Sequence, residues 1–273
     1  MRLFIGAAFC ALILVCVPGA AREKASPSLI QQHKEMLYPT VLVTASNVGG
    51  SGTVIYSEKR GGDVISLVLT NHHVIADHVK VEKEWNPIKE KKIEVERRRP
   101  VKIDLFEYNN YSDSIGTVGR RALIVAYDEK RDLALLQITD KERKMPYVAD
   151  LYPEKKDEGP WIFDEVYAVG AGLGKPPFPT RGMLAGFGKD KNGLSLWLAT
   201  APIIFGNSGG ALFVHSQRGK YELIGVPSAV SVYGWSVVPH MGWARPITEI
   251  RYFLRKNGFG YILGDVKKES EDE

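Results

Sequence analysis

Twelve short apolar runs, six on either side of a polar connector, limit what this chain can fold into more than any other feature of its sequence. The first set is Thr40 to Ala45, Gly52 to Tyr56, Val64 to Thr70, Val101 to Tyr108, Leu123 to Tyr127 and Leu133 to Ile138. The second is Glu165 to Gly170, Thr180 to Phe187, Leu194 to Ala199, Ala211 to His215, Tyr221 to Ser228 and Val237 to Ala244. Each run is rich in Val, Ile, Leu or Tyr and bounded by turn residues, with no convincing helical pattern between, so the sequence predicts closed antiparallel sheets rather than βαβ units. Residues 139–164 are polar and lysine-rich and contain Pro146, Pro153, Gly159 and Pro160, which suits a connector. The expected fold is all-β: two six-stranded antiparallel barrels, about 38–147 and about 160–246, in one domain over 38–259.

Two helices are expected around the barrels. One lies in the N-terminal extension 22–37, where Ser26 caps, Pro27 enters the first turn, and Leu29, Ile30, His33, Met36 and Leu37 share a face. The other closes the domain, starting at Pro246, burying Ile247, Ile250, Phe253 and Leu254, and stopping at Gly258. Residues 260–273 read as a polar, disordered tail.

The chain opens with a basic Arg2, an uncharged apolar run of 15 residues from Leu3 to Val17, and small residues in Pro18-Gly19-Ala20-Ala21 before charged Arg22-Glu23-Lys24. That is the pattern of a secretory signal peptide over 1–21, cut after Ala20 or Ala21. The alternative is a retained anchor, because Leu3 to Ala21 approaches the roughly 20 residues that span a bilayer; Gly6 and the Pro-Gly ending favour cleavage. Bulky Val15 disfavours a lipoprotein reading of Cys16. The expectation is an exported protein, periplasmic or extracellular, with no stable membrane insertion once the signal is removed. Both cysteines, Cys10 and Cys16, leave with it. The mature chain then has no disulfide and no cysteine-based metal site, so two barrel cores must supply its stability, and no metal or cofactor is expected.

With 36 Lys and Arg against 32 Asp and Glu, the net charge of +4 calls for no nucleic-acid partner. Lys80 to Lys102 is dense in charge and includes Arg97-Arg98-Arg99, but its mixed signs favour a solvated hairpin or loop.

Three segments carry chemistry, in this order: Leu69-Thr70-Asn71-His72-His73-Val74-Ile75, Asp128-Glu129-Lys130-Arg131-Asp132-Leu133-Ala134-Leu135-Leu136, and Phe205-Gly206-Asn207-Ser208-Gly209-Gly210-Ala211. Together they resemble the catalytic segments of trypsin-like serine proteases, specifically the bacterial HtrA/Deg branch, whose blocks read T-N-x-H-V, D-L-A-L-L and G-N-S-G-G. The resemblance covers roughly 38–257, with Gly50-Ser51-Gly52-Thr53 before the first block and Gly242-Trp243-Ala244 near the end. It implies a serine endopeptidase acting on polypeptides, with His73 as base, Asp132 as its orienting carboxylate and Ser208 as nucleophile. Those residue types suit the chemistry. A serine hydroxyl is a weak nucleophile at neutral pH and needs an adjacent base, and the base needs a carboxylate to fix its tautomer and orientation. Gly206, Asn207 and Ser208 are the expected oxyanion segment, with the Gly206 and Ser208 N–H groups converging on the developing charge.

Rivals were weighed for each position. His72 competes with His73, but the T-N-x-H spacing selects His73. Asp128 competes with Asp132, but Asp132 directly precedes the Leu-Ala-Leu-Leu strand and Asp128 reads as a turn residue. His33, His78, His215 and His240 accompany no motif and read as surface or packing residues. The segment around Ser208 also satisfies G-x-S-x-G, the elbow of α/β-hydrolase esterases, but that fold needs its acid and histidine after the serine. A non-catalytic binding or chaperone-like module on the same barrels is the alternative from another class.

Specificity follows from what precedes the nucleophile. Ala201-Pro202-Ile203 should floor the primary pocket and contains no carboxylate, which disfavours cleavage after Lys or Arg. Pro202, Ile203, Val226, Pro227 and Ser228 are the expected substrate-binding residues, and small or medium aliphatic side chains the expected preference. Asn207 stands where trypsin-type zymogens place an aspartate, so activation by a newly cut N-terminus is not expected. The short stretch after Leu254 leaves no room for the PDZ domain that the resemblance would suggest, and homo-oligomerisation is left open.

Overall fold

The computed structural model describes residues 27–46, 48–153 and 159–264. The expected signal peptide, the Ser26 cap and the end of the expected tail lie outside the described residues.

Eight strands belong to the first half: β1 Thr40–Ala45, β2 Val48–Arg60, β3 Asp63–Thr70, β4 Val79–Asn86, β5 Lys91–Arg98, β6 Val101–Asn109, β7 Asp113–Asp128 and β8 Leu133–Ile138. Six close into an antiparallel barrel in the order β1-β2-β3-β8-β7-β6, sealed by β1 against β6. β4 and β5 stand apart as a two-stranded sheet. This is the charged stretch, and it is solvated because Arg97 pairs with Glu84 and Arg98 with Glu96 along its surface.

A two-residue strand, β9 Asp150–Leu151, follows in the connector. Then come β10 Glu165–Gly170, β11 Phe178–Lys189, β12 Ser195–Ala199, β13 Ala211–His215, β14 Tyr221–Tyr233 and β15 Ser236–Pro246. These six form the second barrel, closed by β13 against β14, and β9 joins β14 in parallel through Leu151 and Leu223. The expected two-barrel, all-β architecture is therefore present.

The apolar runs on β3 and β8 are nearly continuous rather than alternating because their two faces serve two cores. Val68, Ala134, Leu136 and Ile138 point into the first barrel beside Val41, Val43 and Ile103. Leu67, Leu69, Leu133 and Leu135 point the other way and pack with Phe213, Leu184 and Ile224 of the second barrel.

The N-terminal helix α1 is short, Pro27–Gln32, and continues as a single π turn, His33–Leu37, that buries Met36. Between β3 and β4 lies α2, His72–Ile75. The closing helix α3, Ile247–Lys256, buries Ile247, Ile250, Phe253 and Leu254, the face read from the sequence. One correction concerns the expected tail: Gly260–Leu263 form a 3₁₀ turn. The Tyr261 ring meets Tyr56 edge-on at 5.4 Å with the Arg60 guanidinium 3.8 Å above it, which gives this stretch an apolar anchor.

Candidate active site

The loop between β3 and α2 carries Asn71, His72 and His73 to the seam between the barrels. His73 Nδ1 lies 2.8 Å from Asp132 Oδ2 and 3.0 Å from Oδ1, and Oδ1 also accepts the His73 backbone N–H at 2.9 Å. An ionised carboxylate only accepts, so Nδ1 carries the proton and the neutral ring presents its Nε2 lone pair outward. His72 takes no part: its ring stacks on Tyr127 at 5.2 Å. Asp128 is also elsewhere, accepting from Arg131 N at 3.0 Å and Nη1 at 3.1 Å. Burial pushes the Asp128 carboxyl up, but these Arg131 contacts outweigh it and hold it below the usual range.

Asp132 occupies a left-handed backbone position with φ of 52°, which a non-glycine residue adopts at a cost of about 1–3 kcal/mol. Neighbouring groups enforce it. Asn71 Nδ2 donates to the Asp132 carbonyl at 2.7 Å and to Ser228 Oγ at 2.9 Å, and Ser228 Oγ donates in turn to Val226 O at 3.2 Å. Arg131, one residue before Asp132, donates to Glu249 Oε2 on α3 at 2.9 Å and stacks over Tyr252.

Ser208 sits on the loop between β12 and β13, half-buried, with its carbonyl accepting Ser51 N–H at 2.7 Å. The loop reaches β3 because Gly209 has no side chain. A Cβ there would lie 2.2 Å from both Ser51 O and Thr70 Oγ1, at a φ of 84°. Gly209 N–H donates to Pro227 O at 3.1 Å, so the same residue touches both barrels. Among the described residues no hydrogen bond joins Ser208 Oγ to His73. Resting enzymes commonly hold this contact open until substrate arrives.

The oxyanion segment is shaped by Gly206, whose φ of 93° brings its Cα so near Leu173 N that a Cβ would lie 2.6 Å away. The Gly206 and Ser208 N–H groups donate to nothing among the described residues. Asn207 departs from the expectation, because its N–H is consumed by Ile204 O at 3.1 Å within the turn. Its side chain is fully buried with neither amide atom bonded, in room left by Gly170 and Gly172.

The sequence reading missed Ser51 and Asn71 as supports. Ser51 Oγ donates to Gly206 O at 2.6 Å and accepts Ala171 N–H at 2.7 Å, while Thr70 Oγ1 donates to Ser51 O at 2.7 Å. The available signal was a fully buried hydroxyl and a fully buried amide in otherwise apolar or glycine-rich stretches.

Of the expected substrate-binding residues, Ile203 is buried and its Cδ1 lies 2.3 Å from where a Cβ on Gly242 would stand, so its side chain fills the space above that glycine. The Pro202 carbonyl accepts from Thr180 Oγ1 at 2.7 Å, Pro227 O holds Gly209, and Val226 is fully buried. The Ser228 hydroxyl is turned toward Asn71 and supports the Asp132 loop. The remaining histidines pack locally: His33 on Leu29 O and Ser112, His78 on Ser46 and Pro100 O, His215 on Tyr221, and His240 on Thr200 O.

The sequence matches the family model described as a trypsin-like peptidase domain over residues 50–226. A search of curated proteins returns no match. Among solved structures the chain is similar to a serine endoprotease from Yersinia pestis, with 21% identity and a TM-score of 0.56 over 88% of this chain and 68% of that one. It is also similar to the HtrA-type protease AlgW solved with a tripeptide, with 20% identity and a TM-score of 0.59 over 88% of this chain and 65% of that one. The chain spans about two thirds of the length of both, and at these identities the likeness is one of fold.

Proposed function

Because this chain belongs to the trypsin-like peptidase domain family, we propose that it is an exported serine endopeptidase of HtrA/Deg type, working through His73, Asp132 and Ser208. The observation that carries the reading is the bidentate hold of Asp132 on the His73 ring and backbone, at 2.8 to 3.0 Å. With Nδ1 protonated, Nε2 takes the Ser208 Oγ proton as oxygen attacks the scissile carbonyl carbon. The resulting imidazolium is stabilised by the Asp132 carboxylate. The carbonyl oxygen gains negative charge facing the open N–H groups of Gly206 and Ser208. His73 then gives the proton to the leaving amine, the acyl group stays on Ser208, and water repeats the cycle to release it.

Substrate strands add to β14. Its pairing with β13 ends at Gly225, while β15 covers only its other edge, so the backbone from Ser228 onward offers unpaired groups toward the cleft. Ile203 over Gly242 narrows the primary pocket and favours small aliphatic side chains before the cut. The test is a fluorophosphonate probe on the full chain. Labelling of the wild type with none on Ser208→Ala supports the peptidase reading, and equal labelling of both refutes it.

A further inference from the structure

A cavity of about 680 Å³ opens at the side of the first barrel, between the β6–β7 hairpin and residues 143–147, and contains none of His73, Asp132 and Ser208. Its volume falls within the range of small-molecule sites. Leu105, Ile115 and Val118 give it an apolar wall. Three tyrosines form another, with Tyr38 packed on Tyr108 at 5.0 Å and on Tyr147 at 4.7 Å between ring centroids. The hydroxyls within this wall are treated differently. Tyr38 donates to Tyr111 O at 2.9 Å, whereas the Tyr108 hydroxyl is buried without any partner. Such a donor lacks an acceptor that the protein does not supply.

Charge decides what could supply it. Four charged residues line the cavity, and three of them are basic: Arg120, Arg143 and Lys144, against Glu107. Lys144 is paired with Glu58, and Arg120 stands 3.7 Å from Asp140, while Arg143 and Glu107 form no ion pair with a described residue. Arg120 Nε, also buried, makes no hydrogen bond. A cationic ligand would meet three like charges. An anion would find Arg143 uncommitted and the Tyr108 O–H able to donate.

From the orphaned Tyr108 hydroxyl and the basic, aromatic lining, we propose that this cavity binds an amphipathic organic carboxylate, with the acid group between Arg143 and Tyr108 and the apolar body against Leu105, Ile115 and Val118. The site is separate from the peptidase cleft and does not depend on that reading.

The test is calorimetric titration of the full chain with 2-naphthoate, 2-naphthylmethanol and 2-naphthylmethylammonium. The acid should bind tightest. Arg143→Gln should weaken it by about two- to fivefold and Glu107→Gln should tighten it by a similar factor, as expected for partly exposed charges. Tyr108→Phe should weaken it by about tenfold, the scale of a hydrogen bond to a charged group. Ser208→Ala should leave it unchanged. The proposal fails if the alcohol or the ammonium binds as well as the acid, if none of the three binds, or if the acid's affinity ignores all three cavity variants while circular dichroism shows them folded.

Discussion

Arg131 and Glu249 join at 2.9 Å across the two halves of the fold, fastening the loop that holds Asp132 to the closing helix α3. Both side chains are mostly buried, at 16% and 14% exposure. The second carboxylate oxygen of Glu249 accepts Ser195 N–H at 3.2 Å, so one acidic side chain steadies the Asp132 loop and the start of β12 together.

Arg131→Met should therefore leave Glu249 short of a donor and relax the left-handed Asp132 backbone. The expected loss is about 1–3 kcal/mol in urea unfolding, together with a fall in kcat at nearly constant KM. Unchanged kcat would mean that Asp132 is held by Asn71 alone.

Asp132→Asn keeps the shape of the site but offers an amide to Nδ1, which favours the tautomer with Nδ1 as acceptor. Turnover of a peptide substrate should fall by about 10⁴-fold, with thermal unfolding little altered. A loss below tenfold would show that His73 does not depend on this carboxylate.

Ser51→Ala removes the group that holds Gly206 O and Ala171 N–H. Gly206 is then freer to turn its peptide plane, and kcat should fall by up to about 10²-fold, toward the scale of losing an oxyanion donor. Burst titration should still count nearly all Ser208 as reactive, only slower.

Gly242→Ala forces a methyl group into Ile203 and should destabilise the chain by about 1–3 kcal/mol. The double variant with Ile203→Ala should recover stability and accept larger residues before the cut, with the ratio of kcat/KM for Leu over Ala shifted by about tenfold or more. A peptide library would reveal the shift. A profile dominated by Lys or Arg would contradict the pocket as described.

Asp190 meets the buried Arg245 at 2.9 Å. Burial alone would raise the Asp190 carboxyl, but the hydrogen bond from Arg245 and those from Leu194 and Asn192 N–H hold it below its ordinary value. A folded value below the unfolded one means that the stabilisation is full above the ordinary aspartate range and disappears as pH falls through the depressed value. Asp190→Asn should thus be less stable than wild type at neutral pH, with the two converging in strong acid, as followed by unfolding at several pH values.

Elements packed on two sides were the easiest to read. β8, β10 and β13 have the boundaries that the apolar runs of Leu133 to Ile138, Glu165 to Gly170 and Ala211 to His215 suggest. The extensions of β2 to Val48 and Arg60 and of β7 back to Asp113 were not legible, because glycines and charged residues there pair through backbone bonds while their side chains face solvent. The motif blocks located His73, Asp132 and the Ser208 loop. Ser51 stayed hidden because its partner Gly206 is 155 positions away and nothing local marks the contact. Asn71 was hidden for the opposite reason: it sits where a helix cap belongs, yet its side chain makes no cap bond and reaches instead to Asp132 and Ser228.

Leu67, Leu69, Leu133 and Leu135 make the first barrel's outer face the second barrel's inner lining. Each half is in effect part of the other's solvent. Severing the connector would produce two fragments that must find each other before either is sound, and a separated first half would present a leucine stripe to water. Cooperative unfolding of the whole domain is the corollary, with the hydrolytic groups lost at the same moment as the fold.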